Sequence, residues 1–257
     1  MPAGCEGPDG WLHRERAFHD RLAATLDPLT MAPGQLGPLE VAMFEAGRIV
    51  PGAKVLDLGC GSGDLIIHLL SLGADVTGID ISPGMLALAE ERVRVFGGGR
   101  TAELRATSVE RMELDSDAYD VVVGRFILHH LEIGRAAPEV ARVLRPGGRA
   151  VFAENSARNP ILMAARRHVA GRFGVPRLGT EDEHPLAQAD LAALAPHFAD
   201  VRLTYPVFEF FRIFDRQVLR FRSHRASRVL RAMDRGAGRV RRLRPYSFRV
   251  LVTATAG

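Results

Sequence analysis

The fold is decided by residues 55–64, which read VLDLGCGSGD. The first four residues form a short, mostly apolar run typical of a buried strand, three alternating glycines follow, and a helical pattern begins at Asp64. Glycines in such a turn let the backbone approach a ligand closely, and the first N–H groups of a helix have no partner inside the helix. This stretch therefore predicts a strand, a ligand-binding turn and a helix.

The acidic residues around this turn narrow the kind of ligand. A dinucleotide-binding turn would have glycine at position 64, where this chain has Asp64, and the Gly-Lys-Ser/Thr of a phosphate-binding loop does not follow. Asp57 lies two residues before the first glycine, where its carboxylate would repel a pyrophosphate and attract an ammonium group. We therefore expect a ligand with a positively charged amine and little or no phosphate.

Asp80 ends the next strand-like run, 23 residues after Asp57. In nucleotide-binding folds an acidic residue at about this distance binds the ribose hydroxyls. Asp80 also precedes Ser82 and Pro83, a combination typical of a helix start, so a capping role is the alternative. The spacing favours ribose binding.

Strand-like and helical segments alternate outward from the glycine turn. Up to residue 154 the helical patterns are 64–72, 83–96 and 133–144, and the strand-like runs are 74–80, 102–107, 119–124 and 149–154. Such alternation predicts an α/β fold with a doubly wound parallel sheet. Later come a helix at 186–194 and strands at 201–205 and 248–255. If the last strand returns antiparallel beside strand 201–205, residues 206–245 leave from the edge where ligands bind.

Positive charge is concentrated in residues 206–245, the arginine-rich segment, which holds twelve arginines against three acidic residues. Lys54 is the only lysine in the chain, and the remainder of the sequence is net acidic. Between residues 208 and 233 apolar residues and arginines fall on separate helical stripes, namely Phe211, Phe214, Val218 and Phe221 against Arg212, Arg216 and Arg220. The pattern predicts an amphipathic helix with a basic face.

Three roles remain open for the arginine-rich segment. It is a lid helix whose arginines are solvated, or it binds an anionic part of a substrate or partner, or it rests on an acidic membrane surface that presents a lipophilic substrate. Two cysteines, Cys5 and Cys60, are too few for a disulfide framework, and we find neither a signal peptide nor a run of 18 apolar residues. We expect a cytoplasmic protein, with peripheral membrane contact through the arginine-rich segment as an alternative.

Four motifs, in this order, resemble the class I S-adenosylmethionine-dependent methyltransferases, and in particular the small-molecule branch typified by ubiquinone and menaquinone biosynthesis. They are VLDLGCGSGDL, VTGIDIS, YDVVVGRFILHHL and VLRPGGRAVFAEN. The resemblance covers residues 40–155. It implies a Rossmann-like, doubly wound seven-stranded sheet with an antiparallel last strand and helical lid inserts, and a cofactor across the carboxyl ends of the first strands.

The resemblance also implies roles for individual residues. Asp57 and the backbone at Gly59, Cys60 and Gly61 would hold the methionine part of S-adenosylmethionine. Asp80 would bind the ribose, Ile81 and Met85 would contact the adenine, and Arg125 would lie near the sulfonium. The family has an acidic residue where this chain reads Thr-Ser-Val-Glu at 107–110. Here the Ser108 hydroxyl and the Val109 backbone would contact the adenine instead.

The implied activity is methyl transfer by in-line displacement to a small, lipophilic or natural-product acceptor, with O- or C-methylation expected. His129 and His130, just past the fourth strand, are candidates to remove a proton from the acceptor, with His130 favoured of the two, and a packing or helix-start role is the alternative. Asn155 and Phe211 are expected to contact the substrate. No metal is expected, because the segment GRFI (124–127) supplies no carboxylate ligand.

Two rival functions stay open. A member of this fold can bind the cofactor and act as a cyclase or isomerase without transferring methyl. An NAD-dependent oxidoreductase is disfavoured by Asp57 and Asp64. Nucleic acid is disfavoured as a partner, because GRFI replaces the Asn/Asp-Pro-Pro-aromatic tetrad of base-methylating enzymes. The sequence carries no information on the oligomeric state.

We expect one methyltransferase domain over residues 1–257. Its expected parts are an N-terminal helical cover (1–50), a cofactor-binding half (51–154), two substrate lid inserts (155–185 and 206–245), and the last helix and strands (186–205 and 246–257). Aromatic residues of the cover and of the lid inserts would close the acceptor pocket.

Overall fold

The computed structural model describes residues 8–172 and 184–257. Predictions that concern residues 1–7, including Cys5, and residues 173–183 of the first lid insert lie outside the described residues. The described residues form one seven-stranded sheet. Its strands are β1 (Lys54–Leu58), β2 (Asp75–Asp80), β3 (Glu103–Ala106), β4 (Tyr119–Arg125), β5 (Leu144–Asn155), β6 (Asp200–Thr204) and β7 (Arg249–Thr255).

The strand order is β3-β2-β1-β4-β5-β7-β6. The first five strands are parallel, and β7 lies antiparallel between β5 and β6, as predicted for the last strand. Chain order reverses on the two sides of β1, so the carboxyl ends of β1 and β4 border the crevice where ligands bind in open α/β sheets. The structure therefore confirms the doubly wound fold.

Helices cover both faces of this sheet. They are α1 (Pro8–Ala23), α2 (Pro38–Gly47), α3 (Asp64–Ser71), α4 (Pro83–Phe96), α5 (Ile133–Val143), α6 (Pro160–His168), α7 (Gln188–Leu194), α8 (Phe211–Phe214) and α9 (His224–Arg239). Successive strand residues point to opposite faces. Leu56 and Val122 accordingly pack in the cluster with α5 and α7, while Val55 and Val121 pack with α2, α3 and α4. Two apolar layers thus hold the sheet rigid beneath the crevice.

The fifth strand is longer than predicted because it includes a bulge. Leu144 pairs with Tyr119, and regular pairing to β4 resumes at Arg149. The intervening residues Arg-Pro-Gly-Gly (145–148) make up this bulge, and Gly147 has φ of 74°. From Arg149 to Asn155 the strand pairs on both sides, so its carboxyl end is firmly placed.

The prediction of one continuous amphipathic helix over residues 208–233 is wrong. Helix α8 continues into a π-helical turn (Asp215–Leu219), and the chain then breaks where Arg220 and Phe221 adopt φ of 51° and 55°. Left-handed backbone at two consecutive residues cannot continue a right-handed helix. A new helix, α9, begins after Ser223, whose hydroxyl accepts the Ala226 N–H.

The arginine-rich segment stands on the carboxyl edge of the sheet. Its entry and exit are joined, since the Phe248 N–H donates to the Glu209 carbonyl and the Ser156 N–H donates to the Phe248 carbonyl. The buried Asp234 carboxylate of α9 accepts the N–H groups of residues 210–212 and so ties α9 to α8. Across residues 8–172 and 184–257, every helix lacks the length and apolar character that a bilayer crossing needs.

Candidate functional site

The glycine turn after β1 has the backbone shape that only glycine adopts easily. Gly59, Gly61 and Gly63 have φ of 62°, 51° and 79°. A Cβ added at Gly59 would lie 2.5 Å from the Ile127 side chain, so this glycine lets the turn pack against the segment after β4. A Cβ at Gly61 would meet no atom within 4 Å. The turn therefore leaves open space at Gly61, where a ligand can approach the backbone.

Asp57 lies in β1 immediately before this turn and is 1% exposed. Neither carboxylate oxygen has a hydrogen-bond partner among the described residues. Burial raises the pKa of Asp57 to about 8, the nearby Asp80 and Asp64 charges act in the same direction, and Arg125 acts against them. A buried, unpaired carboxyl is costly to a folded chain, and a cationic group bound beside it would remove that cost.

Asp80 joins the end of β2 to the glycine turn. Its carboxylate accepts the Gly61 N–H (2.9 Å) and the Ser82 N–H (2.8 Å). These bonds correspond to the capping alternative, yet two carboxylate oxygens can each accept a further hydrogen bond. The ribose role of Asp80 stays a prediction.

Cys60 contributes to the turn through its backbone. Its N–H donates to the Ile79 carbonyl and its carbonyl accepts the Gly63 N–H. Burial raises the pKa of the Cys60 thiol well above its ordinary value, which leaves the sulfur a poor nucleophile. The N–H groups of Cys60 and Gly61 are already bonded to β2. The turn therefore contributes to ligand binding mainly through its shape and less through these two hydrogen-bond donors.

Buried Arg92 of α4 holds the glycine turn in place. Its guanidinium donates to the carbonyl of Ser62 (2.7 Å) and to the Asp64 carboxylate, and its Nε donates to the Met31 carbonyl (3.1 Å). The second oxygen of Asp64 accepts from Arg125 (3.2 Å). Arg92 was not singled out in the sequence because its partners come from two separate segments, both distant from it in the chain.

Arg125 at the end of β4 is paired with two acidic residues. Its guanidinium lies 3.2 Å from Asp64 and 3.6 Å from Glu40 of α2. Burial raises the pKa of Asp64, but the hydrogen bond and charge of Arg92 and the charge of Arg125 outweigh it, so this carboxyl is ionised more readily than usual. The two carboxylates offset the positive charge of Arg125, which makes its predicted place near a sulfonium electrostatically tolerable.

The other predicted cofactor contacts lie around the same crevice. Ile81 follows Asp80, and Met85 in the first turn of α4 is buried against Ala23 at the end of α1. Ser108 caps a short 3-10 turn by accepting the Glu110 N–H, and Val109 is buried in the apolar cluster. The roles of these four residues toward an adenine stay predictions.

His129 forms a pair with a buried glutamate. Its Nδ1 lies 2.8 Å from Oε2 of Glu154, a residue that is 0% exposed, and Oε1 of Glu154 accepts the Leu128 N–H (2.6 Å). The carboxylate thus holds the imidazole by Nδ1, which leaves Nε2 as the nitrogen that can take a proton. The prediction of His129 found one member of this pair, while Glu154 was hidden because its partner is 25 residues away.

His130 contacts a different part of the molecule. Its Nδ1 lies 3.5 Å from Glu15 of α1, which also lies 3.5 Å from Nε2 of His19. The hydrogen bond from His19 lowers the pKa of Glu15 despite burial, and the charges of His130 and His129 add to the effect. His130 therefore helps hold α1 against the crevice, and its catalytic role stays a prediction.

A cavity of about 790 Å³ lies over the ends of β4, β5 and β7. His129, the predicted substrate contacts Asn155 and Phe211, Phe126 and Arg249 all line it. Further walls come from apolar residues of the lid, among them Ile161, Leu162, Phe210, Phe214, Leu230 and Met233. The two substrate contacts and one of the two candidate bases are thus brought together in a single space.

Phe126 connects the cavity to the glycine turn. It has φ of 58°, a conformation that is rare for a bulky side chain, and its ring lies 4.5 Å below the Arg249 guanidinium. The next residue, Ile127, packs on Gly59. The cavity and the turn therefore meet at one short segment, with His129 two residues further along.

Comparison with known proteins shows which protein family has a similar sequence. Residues 55–148 match the sequence profile of a family described as the methyltransferase domain. This part of the chain is therefore similar to class I S-adenosylmethionine-dependent methyltransferases. The recognised resemblance is confirmed, and the matched residues include the glycine turn, Asp80 and both histidines.

Two relatives of this methyltransferase domain have informative names. The chain is 37% identical over 123 residues to phosphatidylethanolamine N-methyltransferase of Cereibacter sphaeroides, covering 48% of this chain and 60% of that protein. It is 31% identical over 128 residues to ubiquinone biosynthesis O-methyltransferase of Hahella chejuensis, covering 49% of this chain and 52% of that protein. The chain spans about half the length of the curated relatives it matches.

A solved structure extends the likeness to the whole chain. The [4+2]-cyclase SpnF has a TM-score of 0.62 and 18% sequence identity, and the match covers 95% of this chain and 96% of that chain. At this identity the likeness shows the fold alone. The seven-stranded sheet and the helices around it are therefore a known fold.

Proposed function

We propose that this chain transfers a methyl group from S-adenosylmethionine to a hydroxyl of a lipophilic small molecule, with His129 taking the proton of that hydroxyl. The observation that carries this proposal is the His129–Glu154 pair in the wall of an apolar cavity that meets the glycine turn. Both relatives described above are named for lipophilic molecules, a phospholipid and a quinone, which supports an acceptor of this kind.

The residues of the turn fit the cofactor. Asp57 offers two buried, unpaired carboxylate oxygens to an ammonium group, and Gly61 leaves open space beside the backbone. Asp57 and the turn would hold the methionine part, and Asp80 would hold the ribose. When bound, S-adenosylmethionine supplies a methyl group on a positively charged sulfur, ready for displacement by a nucleophile.

The cavity would orient the acceptor and exclude water from it. Its aromatic and aliphatic lid residues surround the acceptor, while Asn155 offers a polar contact at the end of β5. Positioning of this kind accounts for much of the rate of a bimolecular transfer, because the reacting atoms no longer need to find each other.

His129 would act as the general base. Glu154 holds Nδ1, stabilises the positive charge that develops on the ring and leaves Nε2 to receive the proton. A base in the wall of the cavity favours acceptors with an acidic proton, and for this reason we propose O-methylation among the predicted alternatives.

The nicotinamide alternative is not supported, because the buried Asp57 would face the pyrophosphate of that cofactor. The cyclase or isomerase alternative predicts a product of the same mass as its substrate. Release of S-adenosylhomocysteine with a product heavier by one methylene distinguishes transfer from isomerisation.

The test compares His129→Gln with His197→Gln, the same substitution at an exposed histidine of a short 3-10 turn. With phenolic and aliphatic hydroxyl acceptors, we expect His129→Gln to lower the turnover rate about 100-fold and to remove the rise of rate with pH. Its affinity for S-adenosylmethionine, measured by isothermal titration, should stay within about twofold, and His197→Gln should behave like the wild type. An unchanged pH profile in His129→Gln would contradict the assignment of the base.

A further inference from the structure

The acceptor cavity combines an apolar wall with unusual positive charge. Arg166 of α6, Arg216 of the π-helical turn and Arg249 of β7 line it together with aromatic and aliphatic side chains. Among the described lining residues there is no aspartate or glutamate. Arg216 and Arg249 place positive charge beside apolar surface, and such a wall favours a ligand that brings negative charge together with an apolar part.

Arg249 is the fixed part of this positive surface. Its Nε donates to Glu209 (3.1 Å), its Nη1 donates to the Asn155 side chain, and its guanidinium lies over the rings of Phe126 and Phe248 at 4.5 and 5.6 Å. These contacts hold the guanidinium plane in place. An oxyanion that reaches Arg249 would therefore bind beside Asn155.

Arg216 supplies charge that the protein itself does not neutralise. Its Nε is buried and has no hydrogen-bond partner among the described residues. Burial lowers the pKa of Arg216, and the charges of Arg249 and Arg212 lower it further, with only Glu209 acting against them. Three guanidinium groups thus share one carboxylate, since Glu209 also lies 3.8 Å from Arg212.

The nearby acidic residues of the lid do not line the cavity. Asp234 accepts three backbone N–H groups at the start of α8. Asp215 is 1% exposed, and its Oδ1 has no hydrogen-bond partner among the described residues. The cavity therefore keeps a net positive charge close to Asn155.

We propose that the acceptor is an amphiphile whose oxyanion, a carboxylate or a phosphate, is bound by Arg216 and Arg249, with its hydrocarbon part against the lid. This inference rests on the proposed function, because that proposal identifies the cavity as the acceptor site. Guanidinium groups pair with both oxyanions through two parallel N–H bonds. Asn155, which accepts from Arg249, lines the same cavity as His129, so the oxyanion would lie at the end of the acceptor that faces the base.

The experiment measures binding alone, without cofactor, so that its failure is separate from failure of methyl transfer. Dodecanoate, dodecyl phosphate and dodecan-1-ol are titrated into the full chain below their micelle-forming concentrations. We expect at least one of the two anions to bind about tenfold or more tightly than the alcohol. The stronger of the two identifies the oxyanion. Equal affinity for all three probes would overturn the proposal.

Variants locate the charge that is responsible. Arg216→Gln should weaken binding of the preferred anion about tenfold and leave dodecan-1-ol unchanged. Arg225→Gln, which removes an exposed arginine of α9, is the matched control and should bind like the wild type. Arg216→Lys retains the charge and should keep most of the preference for the anion, which tests the idea even if Arg216→Gln folds poorly. Equal weakening of anion and alcohol by Arg216→Gln would show that this residue only packs, and would contradict the proposal.

Discussion

At the scale of single residues, the buried carboxyl of Asp57 destabilises the ligand-free protein, and we propose that it binds the cofactor in the complex. Its raised pKa of about 8, against an ordinary value of 3.8, means that the folded chain keeps the proton while the unfolded chain has released it. The stability of the ligand-free protein therefore falls as pH rises from about 4 to about 8. A bound ammonium group would reverse this effect by favouring the ionised form.

Asp57→Asn should separate stability from binding. Because asparagine has no charge to bury, we expect the ligand-free variant to be more stable than the wild type by at least about 1 kcal/mol at pH 7.5, and by less at pH 5. Urea unfolding at the two pH values measures this. The same variant should lose at least about 100-fold in affinity for S-adenosylmethionine. Asp75→Asn, an exposed residue at the start of β2, is the control and should change neither quantity. Unchanged cofactor affinity in Asp57→Asn would contradict the assignment of the turn.

Gly61 can be tested against a second glycine with the same backbone demand. Gly61 and Gly98 have φ of 51° and 62°, and an added Cβ has open space at both positions. Alanine at either site should cost about 1 kcal/mol of stability through backbone strain. Only Gly61→Ala should weaken cofactor binding, by tenfold or more, since only its methyl group enters the space beside the turn. Similar affinities of the two variants in isothermal titration would show that this space is not used.

At the element scale, α4 supports the glycine turn through Arg92. The guanidinium is 1% exposed and bonds to the turn, to Asp64 and to the loop after α1. Removing the Arg92 guanidinium would leave the backbone carbonyls of Met31 and Ser62 without this donor, and buried polar groups without a partner are destabilising.

Arg92→Met should destabilise the protein by about 3 kcal/mol, measured by urea unfolding. Arg94→Met is the matched control two residues away on the same helix, where an exposed arginine pairs with Glu91. This variant should unfold at nearly the wild-type urea concentration, since exposed ion pairs contribute little. If the two variants were equally stable, the turn would not depend on α4.

The elements differ in how far the sequence predicts them. Apart from the start of β5, the strands, the glycine turn and α4 were predicted within about two residues, because apolar periodicity, glycine and Pro83 mark them locally. The break at Arg220 and Phe221 was not predicted, since neither residue type favours left-handed backbone and the apolar spacing runs through it. The shape of the lid therefore could not be predicted from local sequence patterns, because it depends on the contacts made by Asp234 and by β7.

At the scale of the whole molecule, the candidate site was predicted in part. Residues on one strand end, such as Asp57 and Asn155, follow from the parallel sheet, because carboxyl ends of parallel strands share one edge. Glu154, Arg92, Arg216 and Arg249 gain their roles from partners that are distant in sequence. No local pattern marks such pairs. No local pattern predicts the different environments of His129 and His130 either. The two residues are neighbours in the chain, but His129 lines the cavity and His130 contacts α1.

In the whole molecule, the rigid sheet and the lid have different proposed roles in binding. The glycine turn offers a place for a cationic cofactor in a crevice bordered by Asp57, Asp64 and Asp80, and the lid offers an apolar cavity with arginines for the acceptor. We propose that these opposite charges favour the cofactor on one side and the acceptor on the other. The two halves meet at Phe126 and His129.

Methyl transfer in this cavity can be measured by mass spectrometry of the reaction. The full chain is incubated with S-adenosylmethionine and a panel of long-chain hydroxy acids, hydroxyalkyl phosphates and phenols. We expect S-adenosylhomocysteine in equal amount to an acceptor product heavier by one methylene, and about 100-fold less of both with His129→Gln. A product with the same mass as its acceptor, formed without S-adenosylhomocysteine, would contradict this expectation.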